Sequence, residues 1–246
     1  METQAKILSN VNIAKDVWKM ILQTELAAAV KPGQFVEIKI PGLFLRRPIS
    51  ISMNDTEKNQ ITIVYKIMGK GTDMMHTMEP GQTLNLVGPL GMGFPVVGTQ
   101  DAVLILGGGV GVPPLLKTAK AWLEAGKKVD VVMGFNTKDD VFYTDAFEQL
   151  GITPYLATMD GSVGVKGTVL DAVDAAGITT DFVESCGPLP MLRAIQNRYS
   201  KGYISLESRM GCGIGACQGC VVKDNTGNWL RVCKNGPVFP MGKVVL

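Results

Sequence analysis

Over the first hundred residues, apolar and polar positions alternate in short runs. Gln34-Phe35-Val36-Glu37-Ile38-Lys39-Ile40 alternates, as does Gln60-Ile61-Thr62-Ile63-Val64-Tyr65-Lys66, the period of a strand with one buried face. Lys31-Pro32-Gly33-Gln34 precedes the first run, and Glu79-Pro80-Gly81-Gln82 precedes a further one. Pro fixes φ and Gly accepts positive φ at the next position, so both predict type II turns. Closely spaced strands with such turns predict a small antiparallel barrel over residues 1–98.

The period then changes. Ala102-Val103-Leu104-Ile105-Leu106 is continuously apolar, as in a parallel strand covered on both faces. Helix candidates at 115–125, 140–150, 169–176 and 191–198 alternate with strand candidates at 129–133, 153–157 and 182–186. This rhythm predicts a doubly wound α/β domain over 99–205. Residues 206–246 are rich in Gly and Cys and show little periodicity, so something other than a hydrophobic core is expected to hold them. The predicted fold class is multi-domain, β followed by α/β, with a small C-terminal unit.

Composition narrows the function classes. The 246 residues are 46% hydrophobic and 19% charged, which argues against intrinsic disorder. Lys plus Arg is 24 against 22 Asp plus Glu, a net +2 that lacks the basic excess of a nucleic-acid binder. No apolar run reaches the 18 or so residues of a membrane span, and the N-terminus alternates and carries charge, unlike a signal peptide. A cytoplasmic protein without membrane or nucleic-acid partners is expected.

Gly107-Gly108-Gly109-Val110-Gly111-Val112-Pro113-Pro114 follows the apolar strand and opens a helix. Glycines there let a backbone approach a pyrophosphate, and the helix N-terminus offers free N–H groups. A plain strand-to-helix turn is the simpler reading of that loop alone. Cys186-Gly187-Pro188 ends a later strand and opens another helix. Ligands of open α/β sheets lie beyond the carboxyl ends of the strands, so both loops should line one crevice. Gly108, Gly109, Val110, Gly111, Cys186, Gly187 and Pro188 are the candidate dinucleotide contacts, with Cys186 facing the nicotinamide. Gly134 to Asp140 offers acidic groups and no Arg, which favours NAD over NADP.

Four of the five cysteines fall close together. Cys212, Cys217, Cys220 and Cys233 read C-x4-C-x2-C followed by a distant fourth, the plant-type [2Fe–2S] spacing. Glycines 211, 213, 215 and 219 allow the loop to wrap a cluster and aim N–H groups at its sulfurs. Structural zinc more often shows two C-x2-C pairs or Cys/His mixtures, and the only histidine, His76, lies in a distant short helical turn.

Leu45-Arg46-Arg47-Pro48-Ile49-Ser50-Ile51 lies in the barrel half, and Val64-Tyr65-Lys66 leads into Gly69-Lys70-Gly71-Thr72. In this order, R-x-x-S, a Gly-Thr helix start, a GGGVG loop and a CGP loop resemble the ferredoxin–NAD(P) reductase superfamily. The terminal segment Leu206-Glu207-Ser208-Arg209-Met210 to Cys220, then Val232-Cys233 and Gly236-Pro237-Val238-Phe239, is similar to the electron-transfer subunits of NAD-linked dihydroorotate dehydrogenases.

The resemblance implies FAD in the barrel, NAD in a Rossmann-like domain and [2Fe–2S] in the terminal domain. It places Arg47 on phosphate, Pro48 and Ile49 along FAD and Ser50 near the flavin ring. Val64, Tyr65 and Lys66 would run along the cofactor, with Gly71 and Thr72 at its pyrophosphate. Ile49 stands where many of these reductases carry an aromatic residue, and the gap from Cys220 to Cys233 is shorter than in plant ferredoxins.

The implied partner is an FMN-containing catalytic subunit that oxidises dihydroorotate, in a heterotetramer of two chains of each kind. No acid–base residue is expected in this chain, because its work is to relay electrons. Two other readings remain open at this stage. One is a flavin and iron–sulfur subunit serving a hydrogenase, sulfide dehydrogenase or transhydrogenase. The other is a zinc-stapled nucleotide-binding regulator.

Overall fold

The computed structural model describes residues 1–246. Six antiparallel strands close into a barrel: β1 (Glu2–Ala14), β2 (Val17–Gln23), β3 (Phe35–Lys39), β4 (Arg47–Asp55), β5 (Gln60–Lys66) and β6 (Thr83–Leu90), in the order β1-β2-β5-β4-β3-β6. Alternation supplies the core. Ile7, Met20, Leu22, Ile38, Ile51, Ile61 and Ile63 point inward and are fully buried. Gly33 and Gly81 adopt φ of +78° and +94°, as the Pro-Gly turns require. A short helix, α1 (Lys70–His76), follows β5.

The second sheet has seven strands in the order β10-β9-β8-β7-β11-β12-β15. These are β7 (Ala102–Gly108), β8 (Lys128–Phe135), β9 (Tyr155–Thr158), β10 (Val165–Lys166), β11 (Phe182–Cys186) and β12 (Lys201–Ser205), all parallel, with β15 (Val238–Pro240) antiparallel at the edge. Strand β7 is apolar throughout because both its faces are covered. Val103 and Ile105 meet α2 (Pro113–Glu124), whereas Leu104 and Leu106 meet α4 (Val169–Ala175) and α5 (Leu189–Arg198). Pro113 starts α2 at a position where its missing N–H removes no bond.

Two expectations need correction. The predicted helix at 140–150 is only α3 (Thr144–Glu148), because Tyr143 takes φ +71°, a left-handed conformation that no helix continues through. The terminal segment also has an apolar core after all. Leu206, Met210, Val232, Phe239 and Val244 pack with Phe35 of the barrel, Leu192 of α5 and Ile204 of β12. Through β15 it extends the large sheet. The rest of it comprises β13 (Val221–Lys223) paired with β14 (Trp229–Arg231), and α6 (Val232–Asn235). No helix of the protein is long and apolar enough to cross a membrane.

Barrel and α/β sheet meet along β4 and α2. Ser52 of β4 donates to the Pro113 carbonyl (2.9 Å), and Lys117 of α2 donates to Asn54 of β4. Val17, Val64 and Phe94 of the barrel half join the core under α2.

Candidate functional site

Three structural features converge at the carboxyl ends of the parallel strands. The first is a cavity of about 250 Å³ between barrel and sheet. Arg47, Pro48, Ile49 and Ser50 line it from β4, and Val64, Tyr65, Lys66 and Thr72 from β5 and α1. Gly71 lies beneath the Arg47 side chain, with no room for a Cβ. The barrel-half candidates are therefore brought together. The two adjacent arginines, however, have different tasks. Arg46 donates to the carbonyls of Glu37 and Asn85 and pairs with Glu2 (2.9 Å), a structural brace. Arg47 bonds only to the carbonyls of Leu45 and Arg46 and keeps the rest of its guanidinium for the cavity. Thr72 accepts from the Met68 and Gly69 amides, which fixes the start of α1.

The second is a cavity of about 440 Å³ over β7 and β8. Gly108, Gly109, Val110 and Pro188 line it, together with Gly134 and Asp140. Gly111 and Gly187 instead let the two loops approach. A Cβ on Gly111 would strike the Cys186–Gly187 backbone, and one on Gly187 would lie 3.1 Å from the Gly108 amide. Cys186 faces the first cavity, where burial pushes its thiol well above the usual range and keeps it neutral. Lys66 and Val110 line both cavities, so the two adjoin.

The third is the cysteine loop. Its thiols fall into two pairs in contact, Cys212 with Cys217 and Cys220 with Cys233. The Ala216 and Cys217 amides donate to the Cys212 sulfur (3.2 and 3.4 Å), the Gly219 amide to Cys217 and the Cys233 amide to Cys220. Burial opposes the Cys212 thiolate, but amides and the Cys217 thiol outweigh it and lower its pKa to about 6. Paired thiols with amides aimed at sulfur fit a two-iron cluster.

Sequence reasoning missed two carboxylates here. Glu37 of β3 is buried, its carboxyl oxygens have no hydrogen-bond partner, and burial, partly offset by Arg46, raises its pKa to about 7. It packs beneath Gly213, whose φ of +68° and missing Cβ allow the approach. Glu207 lines the first cavity beside Ser205 and Met210. Glu37 reads as an ordinary outward strand position, and Glu207 stood inside a recognised motif without a role. Only tertiary contact distinguishes them.

A closed barrel with an arginine-and-serine strand, a doubly wound sheet with a glycine loop, and a paired-cysteine loop beside their shared cleft define a flavin- and iron–sulfur-linked reductase of the ferredoxin-reductase class. Residues 4–94 match the oxidoreductase FAD-binding domain, and residues 207–245 match the iron–sulfur cluster binding domain of dihydroorotate dehydrogenase B. The chain is 47% identical, over the whole of both chains, to the electron transfer subunits of dihydroorotate dehydrogenase B (NAD+) from Bacillus cereus strain G9842 and Bacillus anthracis strain A0248. It belongs to that family of electron transfer subunits.

Among solved structures, the NADH-dependent reduced ferredoxin-NADP oxidoreductase shares 31% identity. Its TM-score is 0.90, over 98% of this chain and 89% of that one. Phthalate dioxygenase reductase shares the fold at 16% identity and TM-score 0.67, over 98% of this chain and 77% of that one.

Proposed function

We propose that this chain is the electron-transfer subunit of an NAD-dependent dihydroorotate dehydrogenase, carrying electrons from a catalytic partner through [2Fe–2S] and FAD to NAD+ for pyrimidine synthesis. One observation carries the reading. The 250 Å³ cavity is lined both by Lys66 and Val110, shared with the dinucleotide cavity, and by Met210, two residues before Cys212. A flavin ring seated there would adjoin both a nicotinamide and a cluster. When bound, FAD exchanges a hydride with the nicotinamide and single electrons with the cluster.

The chain's residues hold and orient these groups. Arg47 supplies charge and donors to the FAD phosphates, with Gly71 and Thr72 beside it. Ser50, Val64, Tyr65 and Lys66 flank the ring, and Pro48 and Ile49 close its apolar side. Gly108, Gly109 and Val110 accept the NAD pyrophosphate at the start of α2, Gly111, Gly187 and Pro188 set the loop spacing, and Cys186 excludes water where the rings meet. Cys212, Cys217, Cys220 and Cys233 ligate the iron. The partner subunit carries FMN and the base that attacks dihydroorotate, two of each chain forming the assembly. A cytoplasmic, reducing location suits the unpaired thiols.

The test is reconstitution. The isolated chain should contain FAD and iron, pass electrons from NADH to dyes, and leave dihydroorotate untouched. With the partner, dihydroorotate should reduce NAD+, and Cys217→Ser or Cys220→Ser should abolish that coupling. Dihydroorotate oxidation by the chain alone, or coupling without the cluster, would overturn the assignment.

A further inference from the structure

The β13–β14 ribbon has two unlike faces. Val221 pairs with Arg231 and Lys223 with Trp229, so these four side chains share one face, while Val222 and Leu230 turn inward onto the terminal core. Trp229 is 63% exposed, and the Lys223 ammonium lies over its ring, 5.0 Å from the centroid. Arg231 donates to the Gly215 carbonyl (2.8 Å), which ties this outer face to the cluster loop beside the exposed Ile214.

Charge in this region is one-sided. Residues 206–246 hold five Lys and Arg against two Asp and Glu, an excess larger than the net +2 of the whole chain. Both acids are engaged elsewhere: Asp224 accepts from Lys243 (3.2 Å) and from turn amides, and Glu207 lines the flavin cavity. Lys223, Arg231 and Lys234, which packs against Gly215, form no ion pair within the chain. Strand β13 starts at the residue after Cys220, and β14 ends two residues before Cys233, so whatever covers the outer face stands beside the cysteine loop. A second copy of the chain docked symmetrically there would set these cations against their own kind. A partner with carboxylates around an apolar socket complements them.

We propose that the outer face of β13–β14 anchors the catalytic partner subunit, Trp229 filling an apolar socket on it while Lys223, Arg231 and Lys234 meet surrounding carboxylates. An aromatic side chain within a charged rim is the arrangement that concentrates binding energy in few residues. The cations speed encounter, and the indole sets how long the complex lasts. A partner held there faces the loop where single electrons pass between the chains. The inference rests on the reading of this chain as one subunit of a two-subunit enzyme.

The experiment uses holoprotein with measured FAD and iron, and the purified FMN-containing catalytic subunit of the same organism. Association with and dissociation from the immobilised catalytic subunit are followed for wild type, Trp229→Ala and Lys223→Glu at several salt concentrations. Trp229→Ala should dissociate at least about thirtyfold faster. Lys223→Glu should associate about tenfold more slowly at low salt, a difference that shrinks as salt rises. Both variants should keep wild-type NADH-to-dye activity, and excess catalytic subunit should restore their turnover of dihydroorotate with NAD+. Lys223→Glu, at an exposed position, decides alone if Trp229→Ala loses iron. Unchanged binding by iron-containing variants, or dimers of the isolated chain that Trp229→Ala abolishes, would overturn the proposal. A wild-type chain that binds no catalytic subunit would instead refute the two-subunit reading.

Discussion

The hydroxyl of Ser52 on β4 lies 3.0 Å from the phenol oxygen of Tyr143, which precedes α3. Ser52 spends its only proton on the Pro113 carbonyl, so Tyr143 is the donor of this bond. The pair ties the barrel to the α/β sheet two residues from Ser50, which faces the flavin cavity, and next to Phe142, which faces the dinucleotide cavity. Burial pushes the Tyr143 phenol up to about 12, so it keeps its proton at physiological pH. Tyr143→Phe should lower stability by about 1 kcal/mol, seen as a drop of about 2–4 °C in Tm. Ser52→Ala should cost more, because it removes both bonds and leaves the buried Tyr143 hydroxyl without an acceptor.

Gly213 has φ +68°, and a Cβ there would come within 2.6 Å of the Glu37 side chain. Gly213→Ala should therefore displace the loop that carries Cys212 and Cys217. Iron content and the visible absorption of the cluster should fall severalfold, while FAD content stays near wild type.

Cys186→Ala should leave iron content unchanged, since the thiol lies in the FAD cavity and outside the paired cysteines. Flavin reduction by NADH should slow. Loss of iron in this variant would show that the thiol serves the cluster.

Reduction of the flavin by NADH should outpace that by NADPH. Gly134 and Asp140 line the dinucleotide cavity, and Asp140 is held in place by bonds from the Thr137 amide and hydroxyl (3.2 and 3.1 Å). A fixed carboxylate there repels a 2′-phosphate, and no Arg lines the cavity to offset it. A preference for NADPH in stopped-flow reduction would refute this.

Glu184 in β11 is fully buried. It accepts only from Trp122 Nε1 (2.9 Å), and burial raises its pKa to about 8. Because the folded protein holds this proton more tightly than the unfolded chain, its contribution is fully present below about pH 4.5 and is lost as pH rises toward 8. Denaturant titrations should show wild type losing on the order of 3 kcal/mol relative to Glu184→Gln between pH 5 and pH 8. Parallel pH profiles would refute the assignment.

The barrel strands and their turns were legible because one-sided burial imposes period 2 and the Pro-Gly pairs require positive φ. Strand β7 was legible because covering both faces removes all polar positions. The helix expected at 140–150 is shorter than its apolar spacing suggests, since Tyr143 takes a left-handed φ and its hydroxyl bonds Ser52 of the barrel. Its bond partner lies 91 residues away in sequence, where no local pattern could announce it.

The amino-acid sequence by itself determined the chemistry the chain can perform. Cysteine spacing is local, so C-x4-C-x2-C is readable without a fold, and the glycine loops are backbone requirements written at single positions. Tertiary structure decided which groups share a space. Arg46 and Arg47 are chemically identical neighbours, yet one braces the barrel and the other faces the cavity. Glu37 becomes a buried acid only because distant segments fold over it, and Phe35, Leu192 and Ile204 give the terminal segment a core it does not contain alone. Periodicity records that a face is covered. It carries no record of what covers it, because burial of apolar surface is non-directional and its partners can come from anywhere along the chain.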